Sequence, residues 1–482
     1  MADFPFPYLH VQCRPDGAIW QQQEADALVA SVQRGDAAPT DLLIFCHGWN
    51  NNIPDAEGLY LGLASQLKPQ FDSNSELSTR RFASCGILWP SRKFEEHDLI
   101  PSGAASLNDA VSCDLLRTRV GDLAAVYTGS EWPSGEGAET PPVFGQLSAA
   151  MTDIDEAGDE AQAGVVDLLR SAVSPNGASS DDGSDALFSL KSSVLLKRAS
   201  RPLNPPPNVP VGGGTSLDLI PSDPLSTGTL SGLGGAAGYR DVAGGIKAGF
   251  LQLLNLTTYY VMKGRAGDVG EKGLAPLIVR VRDANPGLRI HLMGHSFGCR
   301  LIASALNALP DGDKYRPDTV FLLQGAFSHN GFAMAGDRTE RGAFRDAIEH
   351  QRVRGPILIS HSRNDKAVGI AYPLASRLSG VNAASVGGPD DIYGGLGTNG
   401  AQTAETTPER IDTTMLPVGR GADYPFAAGV RASTPCNLKA DAYIGGHSDI
   451  CKPEVGYAMT IGMLAPVIPE ADEAPEDESP AR

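Results

Sequence analysis

Three side chains in one chain order stand out as able to do chemistry together: Ser296, Asp365 and His447. A serine hydroxyl is a poor nucleophile at neutral pH. It needs a base within hydrogen-bond reach, and the base needs an acid to orient it. Gly294-His295-Ser296-Phe297-Gly298 supplies the serine in a G-x-S-x-G pattern. Residues 288–293 before it have β character, and residues 299–306 after it form an apolar-rich helical stretch that stops near Pro310. Strand, pentapeptide and helix in that order predict a sharp nucleophile elbow, with glycines where side chains would collide.

The acid candidate, Asp365, lies in the loop fed by the buried run 356–360. Asn364-Asp365 is also a plain turn signal, and Asp390, Asp391 and Asp449 compete for the role. Asp449 stands two residues beyond His447, better placed to cap a following helix. The base candidate, His447, follows a short β-like run at 442–444 and the pair Gly445-Gly446, and Lys452-Pro453-Glu454 then opens a last helix. Serine, acid, histidine is the chain order this chemistry takes on a strand–helix scaffold. His291, His295 and His361 are weaker bases by position, and His329 is the second choice for lining the site.

Acyl transfer also needs donors for a developing oxyanion. The backbone amide of Phe297, at the start of the new helix, is one candidate. The second is expected from His47-Gly48-Trp49-Asn50, with the Trp49 amide first and Asn50 next. His47, Gly48, Trp49, Asn50 and His295 are further expected to line the substrate site.

Elements must bring these residues to one place. Near-continuous apolar runs at 40–46, 82–89, 290–293, 319–323 and 357–360 read as buried parallel strands. Residues 54–67 read as a helix, with Leu59, Leu63 and Leu67 spaced by one turn. Strands alternating with helices imply a doubly wound, mostly parallel sheet whose site lies at the carboxyl ends of the strands.

The alternation breaks at 100–245, rich in Ser, Gly, Pro and Asp, where 133–142, 174–184 and 201–235 read as loops. Helices are expected near 145–172 and at 186–197, the latter with Leu187, Leu190, Val194 and Leu195 on one face, and 246–263 returns to the core as a helix. A second break covers 381–435. The expected organisation is a core in two parts, 1–99 and 246–467, a cap or lid insertion at 100–245, and an acidic tail at 468–482.

On these residues the chain resembles the α/β-hydrolase fold over about 40–99 and 246–464. More narrowly, His47-Gly48-Trp49-Asn50, then Leu88-Trp89-Pro90-Ser91, then the Gly294–Gly298 elbow resemble a bacterial branch of that fold whose substrates are mostly undefined. The resemblance implies Ser296 as nucleophile, Asp365 as acid and His447 as base. It implies a serine hydrolase acting on carboxylic esters; lipase, amidase, acyltransferase and a catalytically silent binding protein are the alternatives. The 100–245 insertion departs from the branch, and cap segments shape the pocket in this fold.

The net charge of −18 disfavours nucleic acid and anionic membranes as partners, since both call for a basic footprint. A small ester or lipid-like molecule is the expected partner, and no oligomeric state is indicated. Residues 1–5 show no basic n-region leading into an apolar segment, and no apolar run approaches a membrane span, so a cytoplasmic chain is expected. The seven cysteines are scattered and read as free thiols, although Cys436 and Cys451 bracket His447 and leave room for one disulfide. Gly212–Ser216 lacks a P-loop lysine, Gly232–Gly235 has no strand before it, and no cluster has zinc or calcium spacing. No cofactor is expected.

Overall fold

Residues 41–46 show how the sequence builds its layers. Every residue of this strand is buried, yet Leu42, Ile44 and Cys46 belong to one apolar cluster and Leu43 and Phe45 to another. Alternation along a strand with both sets buried means that both faces of the sheet are covered. The computed structural model describes residues 4–91, 111–173, 185–200, 245–336, 341–365, 393–402 and 410–469.

Eight strands form one all-parallel open sheet. They are β1 (Tyr8–Gln12), β2 (Asp41–Cys46), β3 (Phe82–Leu88), β4 (Arg289–His295), β5 (Thr319–Leu323), β6 (Ile357–His361), β7 (Ile411–Thr414) and β8 (Pro435–Lys439). Their spatial order is β1-β3-β2-β4-β5-β6-β8-β7. The winding reverses between β2 and β4, and in open sheets of this kind ligands bind beyond the strand carboxyl ends at such a switch point.

Helices Ile53–Ser73 and Pro453–Leu464 cover one face, placing Tyr60, Leu67, Val455 and Met459 against Phe45, Met293, Phe321 and Leu358. The other face carries helices Gln22–Ser31, Ile246–Val269, Ala275–Ala284 and Phe297–Ala308. Helices Cys113–Thr128, Pro142–Ala150, Asp159–Ser171 and Ser192–Ala199 extend that same apolar cluster through Leu116, Leu147, Val166 and Leu195.

The structure corrects several local expectations. The helix read at 145–172 is two helices, Pro142–Ala150 and Asp159–Ser171, separated by turns that end at Gly158. The stretch 186–197 also divides, into Ala186–Ser189 and Ser192–Ala199. The break rotates the apolar face, so Leu187, Leu195 and Leu196 are buried while Val194 is exposed. Residues 441–443 are a turn, and the strand that feeds His447 is β8, which starts at the last residue of the second Gly/Thr-rich break. Cys436 and Cys451 are both free thiols.

Among the described residues no helix is long and apolar enough to cross a membrane, and no cluster of His, Cys, Asp and Glu has the makings of a metal site. The stretches 174–184 and 201–235, Asp390, Asp391 and the acidic residues from 470 onward lie outside the described residues.

Candidate active site

β4 ends at His295 and the next helix begins at Phe297, so Ser296 alone makes the turn. Its backbone is left-handed, at φ 57° and ψ −121°. A non-glycine residue held there stores roughly 1–3 kcal/mol of strain. Its own peptide groups keep it in place: Ser296 N–H donates to the Leu323 carbonyl at 3.1 Å, and Ala326 N–H donates to the Ser296 carbonyl at 3.1 Å. The elbow glycines are required sterically. A Cβ on Gly298 would lie 2.1 Å from the Cys46 carbonyl oxygen, and one on Gly294 would lie 2.6 Å from the Gly298 carbonyl.

The loop after β2 is packed onto the serine. A Cβ on Gly48 would meet Ser296 Cβ at 2.5 Å and its Oγ at 3.1 Å. This loop is fixed from several sides. His47 N–H donates to the Tyr60 hydroxyl at 2.9 Å, and Asn51 Nδ2 donates to the Gly48 and Trp49 carbonyls at 3.1 and 2.9 Å. Ser91 Oγ donates to the Asn51 carbonyl at 2.8 Å. Asn50 takes a left-handed φ of 67°, which Asn tolerates better than most residues. Asn52 then caps the following helix reciprocally with Asp55.

His47, expected to line the substrate site, is fully buried between the stacked rings of Trp89 and Trp132. Its Nδ1–H donates to the Gly48 carbonyl at 2.8 Å, and its Nε2 accepts from Trp89 N–H at 3.2 Å. Both nitrogens are spent on backbone, so His47 shapes the loop and has no polar atom left for a ligand. Burial pushes its pKa down to about 4.

Asp365 and His447 come together. His447 Nδ1–H donates to Asp365 Oδ2 at 2.9 Å. This fixes the tautomer and makes Nε2 the basic nitrogen. The two loops that carry them are joined: Ser362 Oγ and Asn364 Nδ2 each donate to the Ile444 carbonyl at 2.9 Å. His295, beside the serine, donates its Nε2–H to the His447 carbonyl at 2.9 Å, and their ring centroids are 4.8 Å apart. His295 therefore seats the histidine loop against the elbow. Burial, helped by His447, drives its pKa down to about 3 and keeps it neutral.

The competitors fall elsewhere. Asp449 accepts from Gly445 N–H at 3.0 Å and pairs with Lys452 at 2.7 Å. It braces the glycine turn, and Lys452, not Asp449, holds the N-cap position of the last helix. His329 is buried against residues 394–402 through Asn399 and the Gly394 carbonyl. His361 ends β6, and its carbonyl accepts from Ala440 N–H. His291 bonds Thr319 and Asp41 near the amino ends of their strands, the far side of the sheet from Ser296.

Trp49, Phe297 and Tyr259 form an aromatic wall beside the elbow, with centroids 5.2 to 6.4 Å apart. Tyr259 comes from the Ile246–Val269 helix and was not expected from the sequence. Gln324 was also missed. It follows β5 directly, is buried, and donates to Asp365 Oδ2 at 3.0 Å. Its only sequence signal is a polar residue ending the apolar run 319–323.

A left-handed serine, a carboxylate-bound imidazole and a glycine loop thus come to the carboxyl-end side of the sheet, the residue types that nucleophilic attack with general-base assistance calls for. No family model, curated protein or solved structure gives a significant match to this chain.

Proposed function

We propose that this chain is a serine hydrolase of the α/β-hydrolase fold that cleaves carboxylic esters. The observation that carries the reading is the 2.9 Å His447 Nδ1–Asp365 Oδ2 bond on the same rim as left-handed Ser296. In this reading Ser296 Oγ attacks the ester carbonyl carbon and its proton passes to His447 Nε2. The tetrahedral intermediate collapses, the carbon–alkoxide bond breaks, and His447 returns the proton to the leaving alcohol. Water, deprotonated by the same imidazole, attacks the acyl carbon, the Ser296 Oγ–acyl bond breaks, and His447 returns its proton to Ser296 Oγ as the acid leaves.

The oxyanion is assigned to the backbone N–H groups of Phe297 and Trp49. Support for Trp49 comes from the loop. The Gly48 carbonyl accepts from His47 and Asn51, and a trans peptide turns the attached Trp49 N–H the opposite way, off the His47 ring. Phe297 N–H opens the helix, where positive partial charge gathers.

The test is hydrolysis of p-nitrophenyl esters of increasing acyl length by wild type and Ser296→Ala. Turnover by wild type that Ser296→Ala abolishes is expected. Negligible hydrolysis across the whole series would overturn the esterase reading.

A further inference from the structure

We infer that Gln324 is a positioning residue for the Asp365–His447 pair, its side-chain amide holding the carboxylate oxygen that accepts the His447 Nδ1–H hydrogen bond. The inference deepens the proposed function and rests on it only for its kinetic readout.

Gln324 is fully buried and left-handed, at φ 49°. A non-glycine residue stays in that region only where its surroundings over-determine it. Here they do. Its Nε2 donates one hydrogen to Asp365 Oδ2 and the other to the Gly397 carbonyl, both at 3.0 Å. Its Oε1 accepts from Ser360 Oγ at 3.0 Å, and its backbone N–H donates back to Ser360 Oγ at 3.2 Å. The amide orientation is thereby determined. Flipped, Oε1 would face two acceptor oxygens, and the Ser360 proton would lose its partner. Gly397 leaves the room this needs, since a Cβ there would lie 2.9 Å from Asp365 Oδ2 and 2.7 Å from the Gln324 carbonyl carbon.

Asp365 Oδ2 thus takes two N–H donors, one from His447 and one from Gln324. Each donor stabilises the carboxylate and shares its charge. Without the Gln324 donor, the negative charge on Oδ2 falls more fully on His447, and the imidazolium is stabilised. Among the described residues, the other titratable groups around the pair are His295 and His47, both kept neutral by burial, the Cys299 thiol, which burial also keeps neutral, the Asp449–Lys452 pair, and Asp441 with Arg363 and Lys439.

The test is an NMR titration of His447 in wild type, Gln324→Met and Ser360→Ala, its signal assigned by loss in His447→Gln. Met fills the space and has no donor. Gln324→Met is expected to raise the His447 pKa by about 0.5–1 unit, and Ser360→Ala to raise it by less. The acid limb of kcat/KM moves the same way, and kcat falls about tenfold with KM little changed. A folded Gln324→Met with an unmoved or lowered His447 pKa overturns the inference. If Gln324→Met does not fold, an unmoved pKa in Ser360→Ala overturns it. A wild type that hydrolyses no ester sinks the proposed function alone, because the titration needs no substrate.

Discussion

Gly48→Ala is a small change aimed at one contact. The added methyl would lie 2.5 Å from Ser296 Cβ, whereas carbon atoms in ordinary contact stand about 3.4–4 Å apart. About 1 Å must be found. Ser296 cannot rotate out of the way, because the position of its Cβ is set by a backbone that Leu323 and Ala326 hold by hydrogen bonds. The loop cannot retreat freely either, since Tyr60, Asn51 and Ser91 tie it down. Whichever side yields, nucleophile and loop amides move relative to each other. A misplacement of about 1 Å costs about 100-fold in rate, equivalent to about 2.7 kcal/mol of activation free energy. The assay is kcat on the best p-nitrophenyl ester, beside a thermal unfolding curve. Gly58→Ala is the matched control, because a Cβ there meets nothing within 4 Å. Gly48→Ala should unfold cooperatively with kcat about 100-fold down, and Gly58→Ala should match wild type. A Gly48→Ala enzyme within threefold of wild type would refute the steric reasoning.

Other changes probe separate parts of the site. Asp365→Asn removes the charge but keeps an acceptor for His447 and Gln324, so the fold should persist while kcat falls about 10³–10⁴-fold; full activity would assign the acid elsewhere. His47 and His295 have folded pKa values near 4 and 3, below the unbound value of 6.5. As pH falls below 6.5 the unfolded chain takes up protons first, so stability is complete above that pH and is lost toward pH 4. Each histidine contributes a slope of up to about 1.4 kcal/mol per pH unit. Urea unfolding of His47→Asn at pH 4.5 and 7 should show a smaller difference than wild type, and an equal difference would contradict its buried neutral state. Gly298→Ala drives a methyl to 2.1 Å from a backbone oxygen, so it should give insoluble or non-cooperatively unfolding protein; a soluble variant with a wild-type melt would refute the close approach of β2 and the elbow helix.

The central strands were legible because both faces are buried. β2 to β6 read as near-continuous apolar runs, and each lies within two residues of its expected bounds at both ends. The edges were not legible. β1 is half-buried and carries His10 and Gln12, and β7 alternates half-buried with exposed residues; β8, the strand next to the β7 edge, opens on a proline, which within a paired strand fits its first position. Missing β8 misplaced the strand before His447 while leaving His447 itself correctly at a carboxyl end. Of the site, the elbow was legible because its glycines carry a steric requirement that sequence records directly. The backbone bonding of His47 was not legible, because a histidine beside a glycine looks the same whether its nitrogens face a ligand or the backbone. Gln324 and Tyr259 come from distant chain segments, and only the folded sheet reveals what they touch.

The most direct measurement is the site of covalent labelling by a fluorophosphonate probe, read by peptide mass mapping of wild type and Ser296→Ala. An activated serine on the elbow should place the adduct on Ser296 in wild type and leave Ser296→Ala unlabelled. Equal labelling of the two proteins, or an adduct on another residue, would contradict the assignment of Ser296 as nucleophile.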